Sequence, residues 1–236
     1  MNPRRFAFAA IGIVGLPVLV AGSLVAYVEL SNSRIVPPKP DPAASLVFRE
    51  GKLHPVTPSM LKAAKELGKS AAPDFGAVDS DGRWYTLAAL TKDKPLVLFF
   101  VELQCPCCKG AKTYIDRIQK YYGDVCNVVG VIDADPATTK AWENAVVPTF
   151  PILCDPEMKI IRSYKAQRGV YTTLIAPGGR IVEAYPGYSQ SMLSSMAGSI
   201  EKLTGTTKRA MPLDPAPKVL TSGCLFPGVK VPVDQL

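Results

Sequence analysis

Pro95-Leu-Val-Leu-Phe-Phe-Val101, Glu102-Leu-Gln-Cys105-Pro106-Cys107-Cys108 and Lys109-Gly-Ala-Lys-Thr-Tyr-Ile-Asp-Arg-Ile-Gln-Lys-Tyr-Tyr122 follow one another without a break, and the fold is read from them. The first is apolar throughout after its opening proline, the signature of a strand buried on both faces. In the third, Cys108, Ala111, Ile115, Ile118 and Tyr122 recur at helical spacing on one face, with Lys109, Lys112, Asp116 and Lys120 elsewhere. That spacing predicts a helix closing at Gly123. Three cysteines therefore stand at a strand-to-helix junction. A thiol there meets unpaired backbone N–H groups and the positive end of the macrodipole, which stabilise its thiolate. Cys105 is read as the nucleophile. Cys108, one turn further on, can attack a mixed disulfide from inside, as a dithiol–disulfide switch requires. Pro106 removes one helix-start N–H and leaves those of Cys107 and Cys108.

Outward from this junction, Asp74–Val78, the turn Asp79-Ser-Asp-Gly82 and Arg83–Leu87 predict a hairpin. A second parallel-type strand is expected over Val125–Ile132. Asp135-Pro136 and Asp155-Pro156 each read as an N-cap followed by proline at the first helical position, so each is expected to open a helix. Gly169–Ile175, the turn Pro177-Gly-Gly-Arg180 and Ile181–Tyr185 predict another hairpin, followed by an amphipathic segment, Ser189–Leu203. The order is βαβα, then ββα.

With 236 residues and 47% hydrophobic content, the chain can build one good core plus extensions. The net charge of +7 comes from 27 Lys and Arg against 20 Asp and Glu, with no run of five basic residues. This argues against nucleic acid as a partner. Anionic lipid or an acidic protein would suit the charge, as would an ordinary solvated surface.

Residues 1–30 form a separate unit. Phe6–Val28 carries no charge over twenty-three residues, enough at about 1.5 Å per residue to cross a hydrocarbon core of about 30 Å. It reads as a single transmembrane anchor in contact with membrane lipid. A cleaved signal peptide is the rival reading, with Ala21-Gly22-Ser23 as its small-residue site. Arg4 and Arg5 place the N-terminus in the cytoplasm and the rest outside it, periplasmic or otherwise extracytoplasmic, where disulfides persist. Residues 31–68 are a spacer with Pro37, Pro38, Pro40 and Pro42, then a short helix Thr57–Leu67 capped by Thr57 and Pro58. The main domain is 69–205, and 206–236 is an extended, proline-rich tail.

The order of elements, with a CxxC at the strand-to-helix junction, resembles the thioredoxin-like fold, an α/β arrangement with a central mixed sheet flanked by helices. Gly68-Lys-Ser-Ala-Ala-Pro-Asp-Phe75, Asp81-Gly82, Lys94–Phe100, Phe150-Pro-Ile-Leu-Cys-Asp155 and Gly169–Ile175 resemble the redoxin, AhpC/TSA branch, which includes peroxiredoxins and membrane-tethered disulfide reductases. The resemblance implies a protein dithiol or disulfide as partner, or the subunits of a membrane complex. No cofactor is implied. Four departures stand out: Phe99 where thioredoxins carry a buried acid, with Glu102 as a substitute; Gln104 in place of the tryptophan beside the first cysteine; Tyr171 where they place a cis-proline, here expected trans; and Pro106 itself. Peroxiredoxins resemble one another in a Thr or Ser three residues before their cysteine, and here that place holds Glu102. Arg168 could serve as their arginine, or be a solvated charge near a helix end.

Cys107 points about 100° from Cys108 on a helix. It is either a small half-buried residue or, with Cys105 and Cys108, part of a soft-metal site for Cu(I) or zinc. The single histidine, His54, precedes the domain, so no metal is expected. Cys126 and Cys154 lie among apolar residues and read as core thiols. Cys224 lies in the tail beside Leu225 and Phe226, either tucked under the domain, bonded to a partner, or a distant resolving cysteine for Cys105. Two classes of function follow: an enzyme with Cys105 and Cys108 as its catalytic pair and Cys107, Pro106, Glu102, Tyr171 and Cys224 as accessories, or a non-catalytic subunit of a membrane complex. A peroxidase is the alternative enzyme.

Overall fold

The computed structural model describes residues 54–229. The expected anchor, 6–28, and the first part of the spacer lie outside the described residues. Among the described residues no helix is long and apolar enough to cross a membrane.

In chain order the elements are β1 (His54–Pro55), α1 (Pro58–Leu67), β2 (Gly76–Val78), β3 (Trp84–Thr86), α2 (Leu87–Leu90), β4 (Leu96–Val101), α3 (Pro106–Tyr122), β5 (Asn127–Ile132), α4 (Pro136–Val146), β6 (Ile152–Cys154), α5 (Lys159–Ser163), β7 (Thr172–Ala176), β8 (Arg180–Tyr185), α6 (Gln190–Thr204) and β9 (Thr221–Ser222). Five strands make the central sheet in the order β6-β5-β4-β7-β8. β4, β5 and β6 run parallel, while β7 and β8 are antiparallel additions. This is the thioredoxin-like mixed sheet.

All six residues of β4 are fully buried, because a central strand with helices on both sides has no solvent face. Their alternation sorts the core into two layers. Val97, Phe99 and Val101 point to the layer of α3 and α6, with Tyr114, Ile115, Ile118, Leu193, Met196 and Ile200. Leu96, Leu98 and Phe100 point to the layer of α1, α2 and α5, with Leu67, Leu87 and Ile161. Burying each such side chain stabilises by about 2 kcal/mol relative to exposure.

Several elements depart from the pattern predicted above. Asp155-Pro156 does not start a helix: α5 begins at Lys159, after Met158 in the left-handed region (φ 54°). The Asp155 carboxylate still caps it from a distance, accepting from the N–H of Lys159 at 2.8 Å and of Ile161 at 2.9 Å. Asp135 does cap α4, accepting from Ala137 and Thr138. β5 starts at Asn127 rather than Val125, because the N–H groups of Val125 and Cys126 turn back to the Tyr122 carbonyl. β7 starts at Thr172 rather than Gly169. Val170 has φ 66°, a left-handed conformation that is costly for a β-branched residue and breaks the strand. Lys112 is buried, its ammonium 2.7 Å from Asp116, whose carboxylate also accepts from Thr149.

The segment after α6 runs back over the domain. Arg117 donates to the carbonyls of Pro212 (2.8 Å) and Asp214 (2.7 Å), and the Arg209 guanidinium pairs with Asp124. Thr221 and Tyr188 exchange backbone bonds of 2.8 and 3.0 Å. β9 then pairs antiparallel with β1, His54 opposite Ser222 and Pro55 opposite Thr221.

Candidate active site

β4 delivers the chain to the end of the sheet at Val101, and α3 carries it away from Pro106. Cys105 is the N-cap of α3, with extended backbone (φ −71°, ψ 112°). The expectation that helix N–H groups hold its thiolate is not met: no first-turn N–H reaches its sulfur. Pro106 has no N–H to give, and that of Cys108 goes to the Cys105 carbonyl at 3.1 Å. The donor comes instead from the tail, where the Cys224 N–H lies 3.1 Å from Cys105 Sγ.

Cys105 and Cys108 have no exposed surface, Cys107 is 2% exposed, and Cys224 is half-buried. Gln104 and Pro106, on either side of Cys105, are exposed. Both CxxC residues are fully buried and both thiols are free. The contact with Cys107 pushes the Cys105 thiol up, but hydrogen bonds from Cys108 and from the thiol and N–H of Cys224 outweigh it and the burial, so Cys105 ionises below its ordinary value. Cys107 is also held low, first by its contact with Cys105. Cys108 is raised well above the ordinary thiol range, first by burial and then by Cys105. Cys224 is raised by its bond to Cys105 and by burial. Cys105 and Cys107 are thus favoured as thiolates, while Cys108 and Cys224 are held as thiols.

Gly169 lies against this cluster. Its N–H donates to the Cys224 carbonyl at 2.8 Å, its carbonyl accepts from Gly223 at 3.0 Å, and Phe226 N–H reaches the Gln167 carbonyl at 3.1 Å. The fit leaves no room for side chains: a Cβ on Gly169 would lie 2.5 Å from Cys108 Sγ, and one on Gly223 would lie 2.7 Å from the Gly169 carbonyl oxygen and 3.0 Å from Cys105 Sγ. Arg168 is buried, with Nη1 3.4 Å from the Gly223 carbonyl. It is not a solvated charge at a helix end, because the segment before β7 is covered by the tail.

Glu102 is buried, and its carboxyl is raised chiefly by that burial and by the nearby Asp133, against the N–H groups of Gln104 and Cys105. A Glu102 oxygen and the sulfurs of Cys105 and Cys224 all lie within 4.8 Å of one another. Among the described residues this is the group spaced to hold a cation, and it contains Cys224 and Glu102 where the sequence suggested Cys107 and Cys108. His54 is in β1, outside it. Phe99 packs edge-on to Phe150 on the cysteine side of the sheet. Tyr171 does not join the cysteine cluster: its ring packs on Phe100, centroids 5.9 Å apart, in the opposite layer, and its carbonyl accepts from the Phe100 N–H at 2.8 Å. The only cis peptide among the described residues precedes Pro215, so the bond before Tyr171 is trans, as expected. Cys126 and Cys154 are buried in the core.

Sequence reasoning missed Asp133, which anchors the approach to the site by accepting from the Leu103 N–H at 2.8 Å. It also missed Tyr188, whose buried hydroxyl sits near Cys107, Cys108 and Cys105, its ring 5.7 Å from that of Tyr114. Neither residue carries a local signal, since loops bring both in.

Residues 69–184 match the AhpC/TSA family model. Peroxiredoxin Q from Oryza sativa subsp. japonica is 28% identical over 163 residues, 61% of this chain and 75% of that protein. The thiol-disulfide oxidoreductase ResA from Bacillus thuringiensis is 27% identical over 145 residues, 61% of this chain and 82% of that protein. Among solved structures, a candidate protein disulfide isomerase from Bacteroides thetaiotaomicron superposes with a TM-score of 0.54 at 23% identity, covering 58% of this chain and 90% of that one. A candidate DsbE thiol:disulfide interchange protein from Chlorobium tepidum gives 0.53 at 22%, covering 58% and 98%. At such identities the superpositions speak for the fold alone. Sheet order, CxxC placement and family match agree: residues 69–184 have the thioredoxin-like fold, match the AhpC/TSA family model and resemble thiol–disulfide oxidoreductases and peroxiredoxins.

Proposed function

We propose that the chain is a membrane-anchored, extracytoplasmic thiol–disulfide oxidoreductase working through Cys105-Pro106-Cys107-Cys108. The observation that carries the reading is the placement of two free thiols at the β4–α3 junction, Cys105 as the N-cap of α3 and Cys108 in its first turn, with Cys105 held low and Cys108 held high. The Cys105 thiolate attacks a sulfur of the partner disulfide, that S–S bond breaks, and the partner's other sulfur leaves and takes a proton. Cys108 then attacks Cys105 Sγ, closes the Cys105–Cys108 disulfide and releases the reduced partner. The uncharged run 6–28, with Arg4 and Arg5 before it, supports the anchor and the topology.

The test is reduction of an aromatic disulfide by the pre-reduced full chain, followed by released thiolate, with hydrogen peroxide consumption measured in parallel. The Cys105→Ser variant is expected to lose at least about 100-fold in disulfide reduction rate. Retention of that rate would remove Cys105 from the chemistry and leave a scaffold. Peroxide consumption that outruns disulfide reduction and disappears in Cys105→Ser would move the chain to the peroxidases.

A further inference from the structure

Cys105, the proposed nucleophile, is shut in by a segment of its own chain, and that segment carries a thiol. The tail pairs with Gly169 on both its N–H and its carbonyl, holds Cys105 Sγ by a backbone N–H, and places Cys224 Sγ within 4.8 Å of it. We propose that Cys224 is a third redox residue, forming a reversible disulfide with Cys105 in exchange with Cys105–Cys108, and so carrying the oxidising equivalent to the surface. This rests on the oxidoreductase reading above.

Geometry permits it. An S–S bond is about 2.0 Å long, so two side chains, each free to rotate about χ1, close a gap of under about 3 Å. The strap is already close, because Gly223 and Gly169 let the backbones approach to where a Cβ would collide. Access demands it. Cys105 and Cys108 expose nothing with the tail in place, whereas Cys224 is half-buried and is the most exposed residue of the three. Arg168, holding the Gly223 carbonyl, opposes in part the Cys105 contact and the burial that keep the Cys224 thiol protonated.

The exchange is neutral in electrons. Cys224 thiolate attacks Cys105 Sγ, the Cys105–Cys108 bond breaks as the Cys105–Cys224 bond forms, and Cys108 leaves and takes the proton that Cys224 gave up. A partner dithiol then attacks Cys224 Sγ and releases Cys105 as thiolate. Its second thiol attacks the partner sulfur of that mixed disulfide, closing the partner's own disulfide and freeing Cys224. Two electrons pass from partner to chain.

Glutathione disulfide tests the proposal on the full chain, with acid quenching, alkylation and mapping of linked peptides. Wild type is expected to yield a Cys105–Cys224 peptide alongside Cys105–Cys108, a measurement that needs no substitution. Cys108→Ser is expected to release about two glutathione thiols per chain and keep a Cys105–Cys224 bond, while Cys108→Ser/Cys224→Ser releases about one and keeps glutathione on Cys105. If Cys108→Ser keeps glutathione on Cys105 with Cys224 free to alkylate, or closes a Cys105–Cys107 bond instead, the third-thiol role fails and the oxidoreductase reading stands. If Cys105 reacts in neither variant, both fail.

Discussion

Glu102 shows how a single side chain sets the division of labour among the sulfurs. Its buried carboxyl lies beside Cys105 and Cys224, and its negative charge adds to what holds the Cys224 thiol protonated. Glu102→Gln removes that charge, so the pH profile of Cys224 alkylation is expected to move to lower pH, read by mass spectrometry with each thiol resolved. A profile that stays put would mean the Cys105 bond and burial alone keep Cys224 neutral. Cys105 was legible as the nucleophile because its place between an apolar strand and a helix face is written locally. The source of its stabilising N–H was not: it comes from Cys224, 119 residues away, and no period or spacing encodes a contact made by a coil. Cys224 itself could be singled out only because neither core nor helix explained it.

At the scale of elements, β4 and α3 were readable since each has one unbroken period, while β7 was overrun by three residues because Val170 takes a conformation its type disfavours. The strap formed by Thr221–Phe226 is the element with the most to say about reactivity. Gly223→Ala puts a methyl 2.7 Å from the Gly169 carbonyl oxygen and 3.0 Å from Cys105 Sγ, and must push the strap outward. Alkylation of Cys105 by a small maleimide is expected to speed up by about tenfold or more, with the urea midpoint of the core changed by less than about 1 kcal/mol equivalent, since local opening draws on the low end of the stability range. Equal loss of core stability would instead make the strap part of the cooperative fold.

The molecule as a whole stores several buried acids in their neutral forms. Burial pushes the Cys126 thiol from its ordinary 9.0 up to about 12 and the Tyr114 phenol from 10.0 up to about 12. Both are neutral in the fold and ionise more readily in the unfolded chain. Their contribution to stability is therefore complete below pH about 9 and is lost as pH rises from there toward 12, by up to about 1.4 kcal/mol per pH unit for each group. Urea titrations at pH 9, 10 and 11 should show a falling midpoint, with a shallower fall in Cys126→Ala. A flat midpoint would mean that these groups already ionise in the native state. Cys105 has the opposite sign: its depressed value contributes above the ordinary thiol range and is lost as pH falls through its folded value.

The pairing of His54–Pro55 with Thr221–Ser222 ties the two ends of the described chain into one stitch, two residues from Cys224. The stretch entering the domain and the stretch leaving it cannot shift independently. A displacement of His54–Pro55 therefore reaches, through this pairing, the segment that covers the cysteines.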